Sequence, residues 1–220
     1  MSIEKTTLDF LTKLKKNNSR EWFEKNRKQY ETAKANTEAF LTELISKMGL
    51  FDPGVRELVA KKCMFRINRD IRFSKNKSPY KTNFGASINP GGRKMGGPGY
   101  YIHLEPGSSF LAGGIYMPEP PALSAIRQEI DYDLKGFNAV LADKKFKKTF
   151  GGLTGEDALK RAPKGYEETN PAIEHLKNRH FIVLKDLSDN DVLSKTFVKN
   201  TASAFETMTP FLTFLKRAKE

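Results

Sequence analysis

Between residues 64 and 117 the chain is a succession of short alternating runs parted by turn residues, and that pattern restricts the folds open to it. Phe65, Ile67, Ile71 and Phe73 share one parity, while Arg66, Asn68, Asp70 and Arg72 share the other. A period of two is that of a strand with one buried face. Residues 84–88 read as a second strand. Tyr100, Ile102 and Leu104 alternate against Tyr101, His103 and Glu105 in a third, and residues 109–117 return as a fourth after the Pro106-Gly107 turn. Strands joined in sequence by short turns pair antiparallel, because a parallel pair needs a long crossover. Gly113-Gly114 inside the last of them signals a bulge, or a close approach by another backbone or a ligand. Arg69 falls on the apolar parity, so it either turns out at a bulge or is buried with a partner.

Helical sequence flanks this run. Leu8, Phe10, Leu11 and Leu14 fall at helical spacing over residues 6–16. Ser19 is suited to cap a long helix reaching Met48, with Glu21 and Glu24 at its positive end and Gly49 as its stop. Its apolar line runs Trp22, Asn26, Tyr30, Ala33, Thr37, Phe40, Leu41, Leu44, Met48, a face for packing on a sheet; the other reading puts Trp22, Asn26 and Tyr30 at a pocket mouth. Beyond Pro118, Pro120 and Pro121, Leu123, Ile126, Ile130 and Leu134 mark a further helix. Shorter helical pieces are expected at 137–142, 156–161 and 170–177, and a compact strand at 181–184. Ser188 caps a final helical region, in which Pro210 is expected to kink or divide the helix over 195–218. The expectation is one α+β domain over 1–220. Residues 1–60 are expected to be helical, 61–117 to form the sheet core and 118–220 to be mainly helical. The sheet is antiparallel, of about four or five strands, and the long terminal helices flank it.

The charge is as local as the strands. Residues 61–94 hold ten of the 38 Lys and Arg and one acid, Asp70, so they carry +9 of the formal +12. A local basic field points to acidic partners. Arg66, Asn68 and Arg72 on one strand face, with Arg69, Lys77, Tyr80 and Lys81 following, would form a concentrated anion site. Guanidinium grips phosphate or carboxylate in a fork, lysine adds a movable charge, and Asn and Tyr add neutral donors. Residues 90–99, PGGRKMGGPG, hold five glycines and two prolines and would bring Arg93 and Lys94 over a ligand as a flexible flap. The loop is not GxxxxGK[ST] and does not open a helix, so a triphosphate-binding loop is absent. Asp70, flanked by cations, is expected to stay ionised and orient an arginine. The competing reading pairs these arginines with carboxylates in a scaffold.

Acid–base chemistry has one candidate face, His103 with Glu105 on the parity of Tyr101; a solvated strand face is the alternative. His175 and His180, with His103 remote, have no metal-ligand spacing. Cys63, the one cysteine, excludes an internal disulfide and suits a reducing cytoplasm, either as a small core residue or as a thiol beside Lys61 and Lys62. No apolar run reaches the roughly 18 residues of a membrane helix, and MSIEKTTLDF lacks a secretory apolar core. Phe73, Tyr80, Phe84, Tyr100 and Tyr101 are interleaved with the cations, so nucleic acid is a second candidate partner, although the RNA-recognition signature is missing. The readings carried forward are an anionic, phosphate-bearing small molecule, with enzymatic action on it left open; a nucleic-acid binder; and a scaffold for a protein partner.

The run FRINRDIRFSKNKSPYKTNFGA, followed by YYIHLEPGSSFLAGGIY, resembles a family of bacterial and fungal proteins known as domain of unknown function 2461. The likeness covers nearly the whole chain, including RAPKGY and the helical C-terminus. It implies a soluble single-domain protein of this length. It brings no mechanism, ligand or residue role with it.

Overall fold

The computed structural model describes residues 2–90, 92, 96–155 and 157–218. The expected α+β architecture is present. A four-stranded antiparallel sheet, in the order β1-β2-β3-β4, consists of β1 (Phe84–Ile88), β2 (Gly99–Leu104), β3 (Ser109–Ile115) and β4 (Phe181–Leu187). The first three strands are neighbours in chain order because their connections are too short for anything else.

Residues 64–73 do not form the strand that their alternation predicts. Their backbone meets the sheet at an isolated bridge between Met64 and Ala86 and a bond from Phe65 N to Gly85 O, then the segment closes on itself where Asn68 bridges Tyr80. Local side-chain bonds outcompete a ladder here. Arg69 donates to Ser78 O and Ser74 Oγ, Lys77 to Ile71 O, and Ser78 N to Asn76 Oδ1. Alternation without a surface to bury against leaves Phe73 96% exposed.

The chain divides into two compact units. Unit one comprises Met1–Met95, Tyr101–Leu111 and Asp186–Ser203; unit two comprises Gly96–Tyr100, Ala112–Lys185 and Ala204–Glu220. In unit one, α1 (Lys5–Lys16) packs on α3 (Arg27–Met48), with Phe10 beside Tyr30. Asn36, which is buried, accepts from the Thr7 hydroxyl and from Glu4 N. The helix expected over 20–48 is two helices, because α2 (Arg20–Lys25) ends at Asn26. Asn26 donates its amide to Trp22 O and accepts from Gln29, leaving helical geometry at ψ 15. The break moves burial from Trp22 to Phe23, which is 3% exposed. Phe10, Trp22, Phe23, Tyr30, Tyr80 and Phe84 then form one aromatic cluster, with Trp22 stacked on Phe10. Phe40 stacks on Phe197, where α10 (Phe197–Arg217) begins. The short helix α4 (Ala60–Cys63) buries Cys63.

In unit two, α5 (Pro120–Tyr132), α6 (Leu134–Ala142) and α7 (Lys144–Phe150) follow one another, with Asp133 and Asp143 capping the latter two. Phe137 is fully buried among Phe181, Phe211, Phe214 and the His175 ring. The helix expected over 170–177 is reduced to α8 (Ile173–Leu176), whose end Arg127 secures by donating to Leu176 O and Asn178 O. The described residues 157–161 are not helical; Leu159 N instead bonds Lys177 O. Helix α10 passes Pro210 undivided. The carbonyl that loses its donor belongs to Glu206, and both residues are exposed. Among the described residues no helix is long and apolar enough to cross a membrane.

Candidate functional site

The basic segment of unit one is largely bound to itself. Asp70 accepts from Arg72 Nε and Nη2 at 3.0 and 2.7 Å, and this guanidinium holds its carboxyl below the usual range. Both side chains are exposed. Arg69 is half-buried against Ser74 and Ser78, and Lys77 reaches Ile71 O. Tyr80 is a packing residue: it is 6% exposed, its ring stacks on Phe23 at 4.0 Å, and its backbone N and O both bond the Asn18 amide. Asn68 is exposed and held only through its backbone bridge to Tyr80. Arg66 is exposed, with no hydrogen bond or ion pair among the described residues. Lys81 places its ammonium 5.1 Å from the centre of the Phe65 ring. Arg93 and Lys94, together with Gly91 and Met95 of the glycine loop, lie outside the described residues.

The sharper geometry lies on the neighbouring strand. Tyr100, Ile102 and Leu104 bury one face of β2, which directs Tyr101, His103 and Glu105 to the other. These three form a continuous hydrogen-bonded row. The Tyr101 hydroxyl lies 3.0 Å from His103 Nδ1, and His103 Nε2 lies 3.2 Å from Glu105 Oε2. Glu105 Oε1 accepts from the Thr82 hydroxyl at 2.9 Å and from Lys15 Nζ, on α1, at 3.3 Å. The turn after β2 fixes Glu105 through Ser109, whose hydroxyl accepts from Glu105 N and donates to Glu105 O. Phe110 of β3 lies flat against the imidazole, 4.6 Å away and within 9° of parallel. Phe65 meets the Tyr101 ring edge-on at 6.2 Å. Lys15 thus ends the row at Glu105, and the Lys81 ammonium lies against Phe65, the ring that meets Tyr101.

A carboxylate can only accept from the imidazole, so it sets Nε2–H as the donor and leaves Nδ1 to accept from the phenol. Burial pushes the Tyr101 phenol up to about 12, so it stays a neutral hydroxyl. Burial also pushes Glu105 upward, but the bonds from Thr82, His103 and Lys15 outweigh it and hold the carboxyl below its usual value. The row therefore contains a fixed anion, a titratable imidazole and a neutral hydroxyl in line. Those are the parts of an acid–base relay.

Gly85 on β1 makes room for the phenol. A Cβ there would stand 2.6 Å from the Tyr101 hydroxyl oxygen. Gly85→Ala is expected to destabilise the protein by about 1–3 kcal/mol, the range for overpacking. It should also break the Tyr101–His103 bond, which a shift of the His103 ring resonances would report. An unchanged imidazole environment in that variant would show that the phenol has room to spare.

The His103–Glu105 pair anticipated from strand parity is brought together. Thr82, Lys15 and Phe110 complete it without any local signal, Lys15 from 90 residues away. The pocket-mouth reading of the N-terminal helix is met only at Asn26: an open groove of about 480 Å³ in unit one is lined by Phe10, Lys13, Lys25, Asn26 and Lys28, but not by Trp22 or Tyr30. Among the described residues no three His, Cys, Asp or Glu side chains converge as metal ligands would.

Neither a curated protein nor a solved structure matches the chain. The family described as conserved hypothetical protein (DUF2461) matches residues 6–214, and with almost the whole sequence covered the chain belongs to that family.

Proposed function

We propose that this protein binds an anionic, phosphate-bearing small molecule on unit one, with the Tyr101–His103–Glu105 row supplying acid–base groups to it. The observation that carries the reading is the row itself, with Lys15 bonded to Glu105, Lys81 against the Phe65 ring beside Tyr101, and the segment that holds most of the chain's excess charge at its border. Guanidinium and ammonium groups supply attraction, and the phenol at the end of the row supplies a directed hydroxyl. Among the segment's arginines in the described residues, Arg66 is left to meet a ligand, because Arg69 and Arg72 are engaged within it. A single buried cysteine fits action in a reducing cytoplasm.

A thermal-shift series with sugar phosphates, nucleotides, inorganic anions and short oligonucleotides at two salt concentrations tests this. A ligand at about 100 times its Kd adds about 2.7 kcal/mol. For a chain of this size each kcal/mol is roughly 2–4 °C, so several degrees are expected. Arg66→Ala combined with Lys81→Ala should remove the shift and leave the unliganded melting point in place. If only oligonucleotides raise it, and their affinity falls steeply with salt, the nucleic-acid reading replaces this one. If nothing raises it, the segment is a scaffold.

A further inference from the structure

We infer that the row takes up one proton at His103 when it binds an oxyanion, such as the doubly charged phosphate or sulfate group, and that the Tyr101 hydroxyl is the group that then faces the anion. This rests on the anion-binding reading above and adds how the site selects its ligand.

The direction of the single phenolic proton decides what the hydroxyl offers a ligand. With His103 neutral, Nε2–H is given to Glu105, and Nδ1 is bare 3.0 Å from the Tyr101 oxygen. The phenol fills that gap by donating to Nδ1, so its oxygen offers only lone pairs to anything outside. An oxyanion is repelled by that arrangement. The other neutral tautomer would set the bare Nε2 against the Glu105 carboxylate, acceptor to acceptor. With His103 protonated both ring nitrogens donate, Nε2–H to Glu105 and Nδ1–H to the Tyr101 oxygen. The phenolic proton is released and turns outward as a donor. One proton thus reverses the polarity of the hydroxyl bonded to the ring, and an oxyanion selects the protonated form.

The surroundings suit this exchange. On β2 the imidazole faces Tyr101 and Glu105; from β3 it faces Phe110, which carries no charge. Among the described residues Lys15 of α1 reaches the row through Glu105, and the Lys81 ammonium lies against the Phe65 ring, which meets Tyr101 edge-on. Among the described residues no cation is bonded to the ring. The His103 side chain is 15% exposed, so the proton can come from solvent.

Sulfate is the probe, because it keeps both charges from about pH 5 to 8, where histidine titrates, and any proton taken up belongs to the protein. Titration calorimetry at the alkaline end, in two buffers of different ionisation heat, should report an uptake approaching one proton per sulfate. Affinity should fall by roughly tenfold per pH unit there, as linkage to one proton requires. Tyr101→Phe keeps the ring packing and removes the hydroxyl, so it should abolish the uptake while sulfate still binds weakly through the lysines. His103→Gln should flatten the pH dependence. Sulfate binding without proton uptake, or with the same uptake in Tyr101→Phe, would overturn the inference and leave the anion site standing. Failure of sulfate to bind at any pH would overturn both.

Discussion

Gly114→Ala is expected to cost more than about 4 kcal/mol, at the far end of what single substitutions do. Two constraints coincide at this position of β3. The backbone holds φ at +124, a region that L side chains rarely adopt, and a Cβ would stand 1.8 Å from the Phe181 carbonyl oxygen on β4. Neither can relax cheaply, since the atom in the way is main chain. At Gly113 a Cβ would meet Met208 Sδ of α10 at the same distance, but a methionine side chain can swing aside. Gly113→Ala should therefore cost clearly less. Urea unfolding of the two variants gives the comparison. A loss below about 1 kcal/mol for Gly114→Ala, the size of an ordinary substitution, would mean that β3 and β4 do not meet there. The glycine pair announced a close approach, and what approaches is protein on both sides.

Tyr80→Ala is expected to cost about 3–5 kcal/mol, the range for deleting a buried aromatic ring. The ring is the partner of Phe23 in the aromatic cluster, and its backbone is tied to Asn18 in both directions. The consequence reaches function, because Tyr80 seats the segment that carries Arg66 and Lys81. The variant should lose the response to sulfate together with its stability. Tyr80→Phe keeps the stacking and should stay within about 1.5 kcal/mol of the parent. Unfolding midpoints measured with and without sulfate would decide. A stable Tyr80→Ala protein that still responds would return this residue to the surface and undo the anchoring role.

Where one face of an element is buried, the sequence shows it. β1, β2 and β3 are legible because apolar and polar residues must alternate across a half-covered sheet. Residues 64–73 carry the same alternation for another reason. Their polar side chains bond to nearby backbone and to one another, and period alone does not separate that from a strand. Asn26 likewise interrupts the long N-terminal helix by a local side-chain bond that a helical-wheel count does not register. At the candidate site, parity placed Tyr101, His103 and Glu105 together, since one strand and the residue that follows it carry all three. Lys15 and Thr82 arrive from other elements and left no trace in spacing. Tyr80 sits amid cations in sequence, as a ligand donor would, yet Phe23 covers it.

The break at Asn26 leaves Trp22 half-buried on Phe10, one residue from the ring that seats the basic segment. Trp22 is the only tryptophan in the chain. Its emission is therefore a native optical reporter of that anchoring cluster, with no label required. Unit two contains no tryptophan and is silent at that wavelength, whereas far-UV ellipticity follows the helices of both units. Unfolding curves from the two signals coincide only if the whole chain melts in one cooperative step. A tryptophan curve displaced from the ellipticity curve would isolate the stability of the cluster on which the proposed anion site stands.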